Sequence, residues 1–136
     1  MPSADPNRHH LRLQWEDGLA LCLHVDAWAA LLRLARAHGW TPAGTEPPRD
    51  WTGDAWSGIY EPAAEQHVTD DDARALGAAL ARALERAARG ELDGTDLGEA
   101  ARSITSSEDA LGRVALFQER CKKAGFFVLG PLDLHL

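Results

Sequence analysis

The stretch LRLQWEDGLALCLHV, residues 11–25, decides the N-terminal part of the fold. Apolar and polar residues alternate over 11–15 and again over 19–25, which is the pattern of two half-buried β-strands. A short segment ending in Gly18 lies between them and suits a tight turn. The stretch therefore predicts a β-hairpin whose second strand buries one row of side chains: Leu19, Leu21, Leu23 and Val25.

A first helix is predicted directly after the hairpin, over residues 27–38. Asp26 precedes it as a candidate N-cap, because a carboxylate there accepts a hydrogen bond from an otherwise unpaired backbone N–H. Gly39 follows it at the position where many helices end, and Pro42 prevents continuation. Apolar residues recur at helical spacing on the face that we expect to be buried: Trp28, Leu31, Leu32 and Ala35.

A second helix is predicted over residues 70–89, ending before Gly90. Thr69 is its expected cap, with Asp72 three residues later as the partner in a near-capping box. The consecutive aspartates 70–72 complement the positive end of the helix dipole, so we interpret them as structural. The apolar stripe of this helix consists of Leu76, Leu80, Leu84 and Ala87.

A third helix is predicted over residues 108–124, after a loop at 91–106 that contains one helical turn. Thr105 and Glu108 form its expected capping box, and Gly125 marks its C-terminal end. Its apolar stripe consists of Leu111, Val114, Ala115, Gln118 and Cys121, widened by Leu116 and Phe117.

These elements predict an α+β fold dominated by helices, with an N-terminal β-hairpin, three main helices and a short C-terminal strand at 126–129. No shift in composition marks a domain boundary, so residues 1–136 are expected to form a single domain. Residues 1–10 are polar and contain prolines, which predicts a loose N-terminal segment. Residues 40–58 are predicted to form a long tryptophan-rich loop.

Composition and charge narrow the class of protein. The net charge of −7 makes nucleic-acid binding and attraction to anionic membranes unfavourable, since both surfaces are themselves negative. No apolar run is long enough to cross a membrane, and the first residues do not resemble a secretory signal. We therefore expect a soluble cytoplasmic protein. In that compartment Cys22 and Cys121 are expected to be free thiols packed in the core, with a disulfide between them as the alternative.

No catalytic, metal-binding or cofactor motif is present in the sequence. None of the histidines has the spacing of a zinc-binding helix, and the aspartates at 70–72 lack the alternation of a calcium loop. No glycine-rich phosphate loop or nucleophile elbow occurs. We therefore predict no catalytic residue, no metal site and no cofactor.

The aromatic segment is the most informative region for function. Trp40, Trp51, Trp56 and Tyr60 fall close together, and Arg49 lies among them. One interpretation is a small satellite core beneath the long loop. The other is a binding surface, because tryptophan and tyrosine dominate interaction hot spots. Its polar rim would then comprise Arg49, Asp50, Asp54 and Glu61.

Several motifs occur in a fixed order along the chain. The pattern WxxLLxLAxxxGWxPxGT is matched by residues 28–45, WxGxY by 56–60 and QxVTxxDAxxL by 66–76. A cysteine-bearing helix followed by a glycine–phenylalanine strand is matched by 121–127. With these motifs the chain resembles, over about residues 20–129, a group of small uncharacterised bacterial proteins. No activity is established for that group, so the resemblance implies no catalytic residues.

Two hypotheses for function follow. The first is a non-enzymatic protein-interaction module, such as an acidic regulatory or immunity-type protein of the bacterial cytoplasm. It is based on the acidity, the small size and the tryptophan-rich loop. The second is a small-molecule-binding protein or minor enzyme with an aromatic pocket formed by the 40–60 segment.

Overall fold

A computed structural model describes residues 10–47, 60 and 66–129. These ranges contain four strands and four helices, which confirms the predicted helix-dominated α+β class. In chain order the elements are β1 His10–Gln14, β2 Ala20–His24, α1 Val25–Ala37, β3 Gln66–Val68, α2 Asp70–Ala88, α3 Gly98–Thr105, α4 Glu108–Cys121 and β4 Phe126–Leu129.

The strands form one antiparallel sheet in the order β2-β1-β4-β3. The predicted N-terminal hairpin is confirmed as β1 and β2, and the predicted C-terminal strand is confirmed as β4, which pairs with β1. Strand β3 was not predicted, because three residues are too few to show an alternating pattern. Beyond β3, Glu46 and His67 form an antiparallel bridge that continues the sheet.

The sheet buries one of its faces. On that face Leu11 and Leu13 of β1, and Phe126 and Val128 of β4, are at most 1 % exposed. On the opposite face the side chains are exposed or half-buried, as Cys22 of β2 shows. Alternate residues of a strand point to opposite faces, so the period of two in the sequence becomes a two-sided sheet.

An aromatic cluster joins the buried face of the sheet to the helices. Trp28 of α1 lies edge-on to Phe117 of α4, with ring centroids 5.8 Å apart. Phe117 in turn lies 5.3 Å from Phe126 of β4, and Trp15 lies 5.4 Å from the same ring. Edge-to-face pairs such as Trp28–Phe117 and Phe117–Phe126 contribute about 0.5–1.5 kcal/mol each beyond the area they bury.

Two helix caps differ from the prediction. Helix α1 begins at Val25, and its N-cap is His24, whose Nδ1 accepts a hydrogen bond from the Asp26 backbone at 3.0 Å. Helix α4 is capped by Ser107, whose hydroxyl accepts from the Ala110 backbone at 3.0 Å. In each case the predicted cap and the observed cap lie two positions apart, and both residue types can accept a backbone hydrogen bond. Tertiary contacts determine which of them caps the helix.

The third predicted helix also differs in extent and in its buried face. The loop before it contains α3, a full helix of eight residues and not a single turn. The later helix, α4, ends at Cys121, before the predicted boundary. Its buried side chains are Val114, Phe117 and Cys121, whereas Leu111 and Leu116 are 45 % and 40 % exposed. The predicted stripe was therefore too wide, because only one narrow face of α4 contacts its neighbours.

The ends of the first two helices agree with the prediction. Gly39 and Gly90 follow them with φ values of 102° and 74°, the left-handed geometry expected there. Gly125 does not have a positive φ, so its predicted role as a helix end is wrong. Across the described ranges, no helix combines the length and the apolar character needed to span a bilayer.

Candidate functional site

Trp40 and Tyr60, two residues of the predicted aromatic site, lie together inside the protein. They are 3 % and 5 % exposed, and their rings meet edge-on with centroids 5.2 Å apart. The other three residues, Arg49, Trp51 and Trp56, lie outside the described residues. The same holds for the remaining rim residues: Asp50, Asp54 and Glu61.

Asp72 organises this buried pair. The carboxylate is 3 % exposed and accepts hydrogen bonds from the Trp40 indole at 3.0 Å and from the Ala43 backbone at 3.2 Å. Its other oxygen accepts from the Tyr60 hydroxyl, which itself accepts from the Gly44 backbone at 3.0 Å. Burial, together with the hydrogen bond to Asp72, raises the pKa of the Tyr60 phenol, so the hydroxyl stays protonated.

These contacts correct the interpretation of Asp72 and define what Trp40 and Tyr60 do. The backbone N–H of Asp72 donates to the Thr69 hydroxyl at 3.3 Å, so Thr69 caps α2 as predicted. The Asp72 side chain, however, turns away from that cap and holds the chain after α1 onto α2. The indole and phenol polar groups are engaged inside the protein, and the binding role predicted for the aromatic segment stays a prediction.

A second feature is a groove of about 740 Å³, which we call the charged groove. It lies between the hairpin turn, the first turn of α2 and the C-terminal end of α4. Charged and aromatic side chains from all three elements line it, among them Trp15, Asp17, Asp70, Arg74, Arg120 and Lys123. Its volume falls within the range of small-ligand sites.

Most charges of the groove are already paired. Arg120 forms an ion pair with Asp17 and lies 5.8 Å from the centre of the Trp15 ring. The hydrogen bond from Arg120 lowers the pKa of the Asp17 carboxyl, so this pair persists at neutral pH and is lost as the pH falls through that pKa. The Asp70 carboxylate accepts from the Gly125 backbone at 2.7 Å.

Donor groups at the same place remain unused. Among the described residues, the indole N–H of Trp15 and the Nε–H of Arg120 are buried without a hydrogen-bond partner, and Lys123 forms no ion pair. Trp15 as a whole is only 4 % exposed. Buried polar groups are normally satisfied, so two unpaired donors on residues that line the same groove are unusual.

A third feature lies along β2, at the opposite edge of the sheet from β3. A groove of about 380 Å³, which we call the edge groove, separates β2 from α3 and α4. Its lining is mostly apolar and includes Cys22, Leu23, Ile104, Ala110, Arg113 and Val114. Within the described ranges no strand pairs with the outer side of β2.

The hairpin register shows which backbone groups of β2 point away from β1. Trp15 donates its backbone N–H to the carbonyl of Leu19 at 2.9 Å, so these two form a hydrogen-bonded pair. Hydrogen-bonded and non-hydrogen-bonded pairs alternate along an antiparallel ladder. The pairing of β1 with β2 therefore uses the backbone of Leu21 and Leu23, whereas the N–H and C=O groups of Ala20 and Cys22 point away from β1.

Cys22 corrects the prediction that both cysteines are core residues. Cys121 is buried, but Cys22 is exposed on the uncovered side of β2, and both are free thiols. The cause of the error is that the residues next to Cys22 are apolar, which suggested that the whole strand was buried. The alternation in fact places Cys22 on the face opposite the buried leucines. Burial raises the pKa of the Cys121 thiol, which makes it unreactive as well as inaccessible.

We expect a thiol reagent to modify Cys22 in the folded protein and to leave Cys121 untouched. Mass spectrometry should find one label per chain under native conditions and two after unfolding in urea. The Cys22→Ser variant is the control and should take up no label until it is unfolded. Rapid native labelling of that variant would show that α4 does not protect Cys121.

No metal centre is formed by the described residues, since they contain no cluster of three or more potential metal ligands. Neither groove was predicted from sequence. The residues that form each groove are too far apart in the sequence for a local pattern to relate them. Arg120 pairs with Asp17, which lies 103 positions earlier, and the edge groove is formed by β2 together with α3 and α4. Comparison with protein-family models, curated proteins and solved structures found no match to this chain.

Proposed function

We propose that this chain is a non-enzymatic protein-interaction module that binds an extended segment of a partner protein beside β2. The single observation that carries the proposal is the outer edge of β2, where the backbone groups of Ala20 and Cys22 point away from β1 and Cys22 lines the edge groove. An added strand would satisfy these donors and acceptors, as in other proteins that extend a sheet with a partner's strand.

The edge groove supplies side-chain selectivity for such a segment. Its floor is apolar, with Leu23, Ile104 and Val114 each at most 5 % exposed. Alternate side chains of an extended segment would enter the groove, and the others would lie beside Cys22 on the open face of the sheet. Leu111 precedes Val114 by three residues on α4 and adds an exposed apolar contact next to the groove.

Charge indicates the chemistry of the partner. With a net charge of −7 the chain attracts basic proteins at long range and repels acidic ones. A small acidic protein without a catalytic motif suits a regulatory or immunity-type role in the bacterial cytoplasm. The alternative, a small-molecule-binding protein or minor enzyme with an aromatic pocket, has less support because Trp40 and Tyr60 are engaged by Asp72.

A proline at position 22 tests the proposal directly. The Cys22 N–H points outward, so proline removes a donor that β1 does not use, and proline is tolerated at sheet edges for this reason. Cys22→Ser is the matched control, since it removes the thiol but keeps the N–H. We expect the partner recovered from the native cytoplasm to bind Cys22→Pro roughly tenfold more weakly than Cys22→Ser.

Thermal melting of both variants checks that they remain folded. A partner that binds the proline and serine variants equally well would refute an interaction along β2. Failure of the wild-type protein to retain any partner under mild conditions would count against the interaction role itself.

A further inference from the structure

The charged groove has a hydrogen-bonding capacity that the chain itself does not use. Three donors belong to residues that line it: the indole N–H of Trp15, directly after β1, the Nε–H of Arg120 in α4, and the ammonium group of Lys123, two residues after α4. The Trp15 indole belongs to a residue that is only 4 % exposed. Donors left unpaired in a buried position cost free energy unless a ligand or another group satisfies them.

We propose that the charged groove binds the carboxylate of a ligand, either a small monocarboxylic acid or the C-terminus of a peptide. The chain already contains a carboxylate in this role, because Asp17 forms an ion pair with the Arg120 guanidinium. A ligand carboxylate would replace Asp17 there and accept hydrogen bonds from the Trp15 and Arg120 nitrogens. Lys123 would neutralise its charge.

Replacing Asp17 by a ligand carboxylate at Arg120 costs little free energy. Asp17 is 57 % exposed, and ion pairs with an exposed partner contribute little net stability, so displacing it costs little. Once displaced, Asp17 keeps a separate role in the hairpin turn, because its Oδ1 accepts from the Leu19 backbone at 3.1 Å.

The acidic residues of the groove limit which anions fit. Glu16, Asp17, Asp70 and Asp71 all line it, facing Arg74, Arg120 and Lys123. Arg74 is already paired with Asp71 at 2.9 Å, and Asp70 is bonded to the Gly125 backbone. A doubly charged phosphate would meet strong repulsion from these carboxylates, whereas a single carboxylate meets half of it. The observations therefore favour a monocarboxylate.

This site is separate from the interaction proposed for β2, since the two grooves share no lining residue. Loss of partner binding in Cys22→Pro would leave carboxylate binding unchanged, and the reverse also holds. The two proposals can fail independently.

Nuclear magnetic resonance of the ¹⁵N-labelled protein tests the proposal at the atom concerned. The Trp15 indole N–H signal can be assigned by its absence from Trp15→Phe, and hydrogen bonding should move it. The probes are acetate, benzoate, the tripeptide Ala-Ala-Ala and the C-terminal amide of that tripeptide. We expect the Trp15 signal to shift with at least one acid and not with the amide.

Two lysine variants separate specific binding from a general effect of charge. Lys123→Ala removes the groove cation, whereas Lys122→Ala removes a neighbouring cation that pairs with Glu119 at 3.4 Å. We expect Lys123→Ala to weaken binding roughly tenfold and Lys122→Ala to leave it nearly unchanged.

The probes also distinguish the two sources of the carboxylate. Comparable affinity for acetate or benzoate and for the tripeptide indicates a small acid, whereas clearly tighter binding of the tripeptide indicates a peptide C-terminus. A Trp15 signal that none of the acids moves at concentrations up to roughly 50 mM would overturn the proposal, since even weak complexes are detectable there. Equal binding of the tripeptide and its amide, or equal effects of the two lysine variants, would overturn it too.

Discussion

Gly125→Ala is expected to destabilise the protein by about 3 kcal/mol, the upper end of the usual cost of overpacking. A methyl group at this position would lie 2.8 Å from the carbonyl carbon of Thr69 and 3.0 Å from the backbone nitrogen of Asp70, and closer still to the Val68 carbonyl oxygen. All three are backbone atoms at the junction of β3 and α2, so they cannot rotate away. Any shift that relieved the clash would also strain the hydrogen bond from the Gly125 backbone to Asp70.

Urea unfolding monitored by circular dichroism measures this effect. Gly112→Ala is the matched control, because Gly112 lies within α4 and, among the described residues, no atom beyond its own stretch of helix would come within 4 Å of the added methyl group. That variant should be more stable than wild type by roughly 0.5–1 kcal/mol, since alanine favours the helix. If Gly125→Ala unfolded within about 1 kcal/mol of wild type, the close approach of β4 to the start of α2 would be wrong.

Asp72→Ala is expected to cost about 3–5 kcal/mol, because it leaves several buried donors without their acceptor. These are the Trp40 indole, the Ala43 backbone and the Tyr60 hydroxyl. We expect the chain between α1 and β3 to loosen, so that the emission of Trp40 shifts to longer wavelength before the helices unfold.

The neighbouring aspartate is the control for this prediction. The Asp71 side chain is 98 % exposed and pairs with Arg74 at the surface, so Asp71→Ala should change the free energy of unfolding by less than about 1 kcal/mol. Chemical denaturation of both variants supplies the comparison. Equal, small losses would mean that Asp72 does not hold the buried aromatic pair.

Much of the fold was predictable because its signals are local. The alternation over residues 11–25 identified β1 and β2, and helical spacing identified α1 and α2 to within about two residues. Errors arose where neighbouring residues could serve the same purpose, as at the caps of α1 and α4. The excess width predicted for the α4 stripe had another cause: apolar residues such as Leu111 can remain exposed when no neighbour covers them.

The candidate sites were much less predictable. Asp72 looked like the capping-box partner of Thr69, and nothing local indicated that its carboxylate would be buried. Its burial depends on Trp40, which lies 32 positions earlier. Cys22 looked like a core residue because its neighbours are apolar, although the alternation already placed it on the face opposite the buried leucines. The charged groove joins Trp15 to Arg120, which no local pattern can relate.

Pattern and propensity within short windows were therefore sufficient for the hairpin, the main helices and the α+β class, because backbone hydrogen bonding and amphipathic burial act over a few residues. Contacts between distant parts of the chain assigned the roles of Asp72 and Gly125, and formed both grooves. Their physical basis is packing and desolvation, which depend on which segments meet in space and not on their order along the chain.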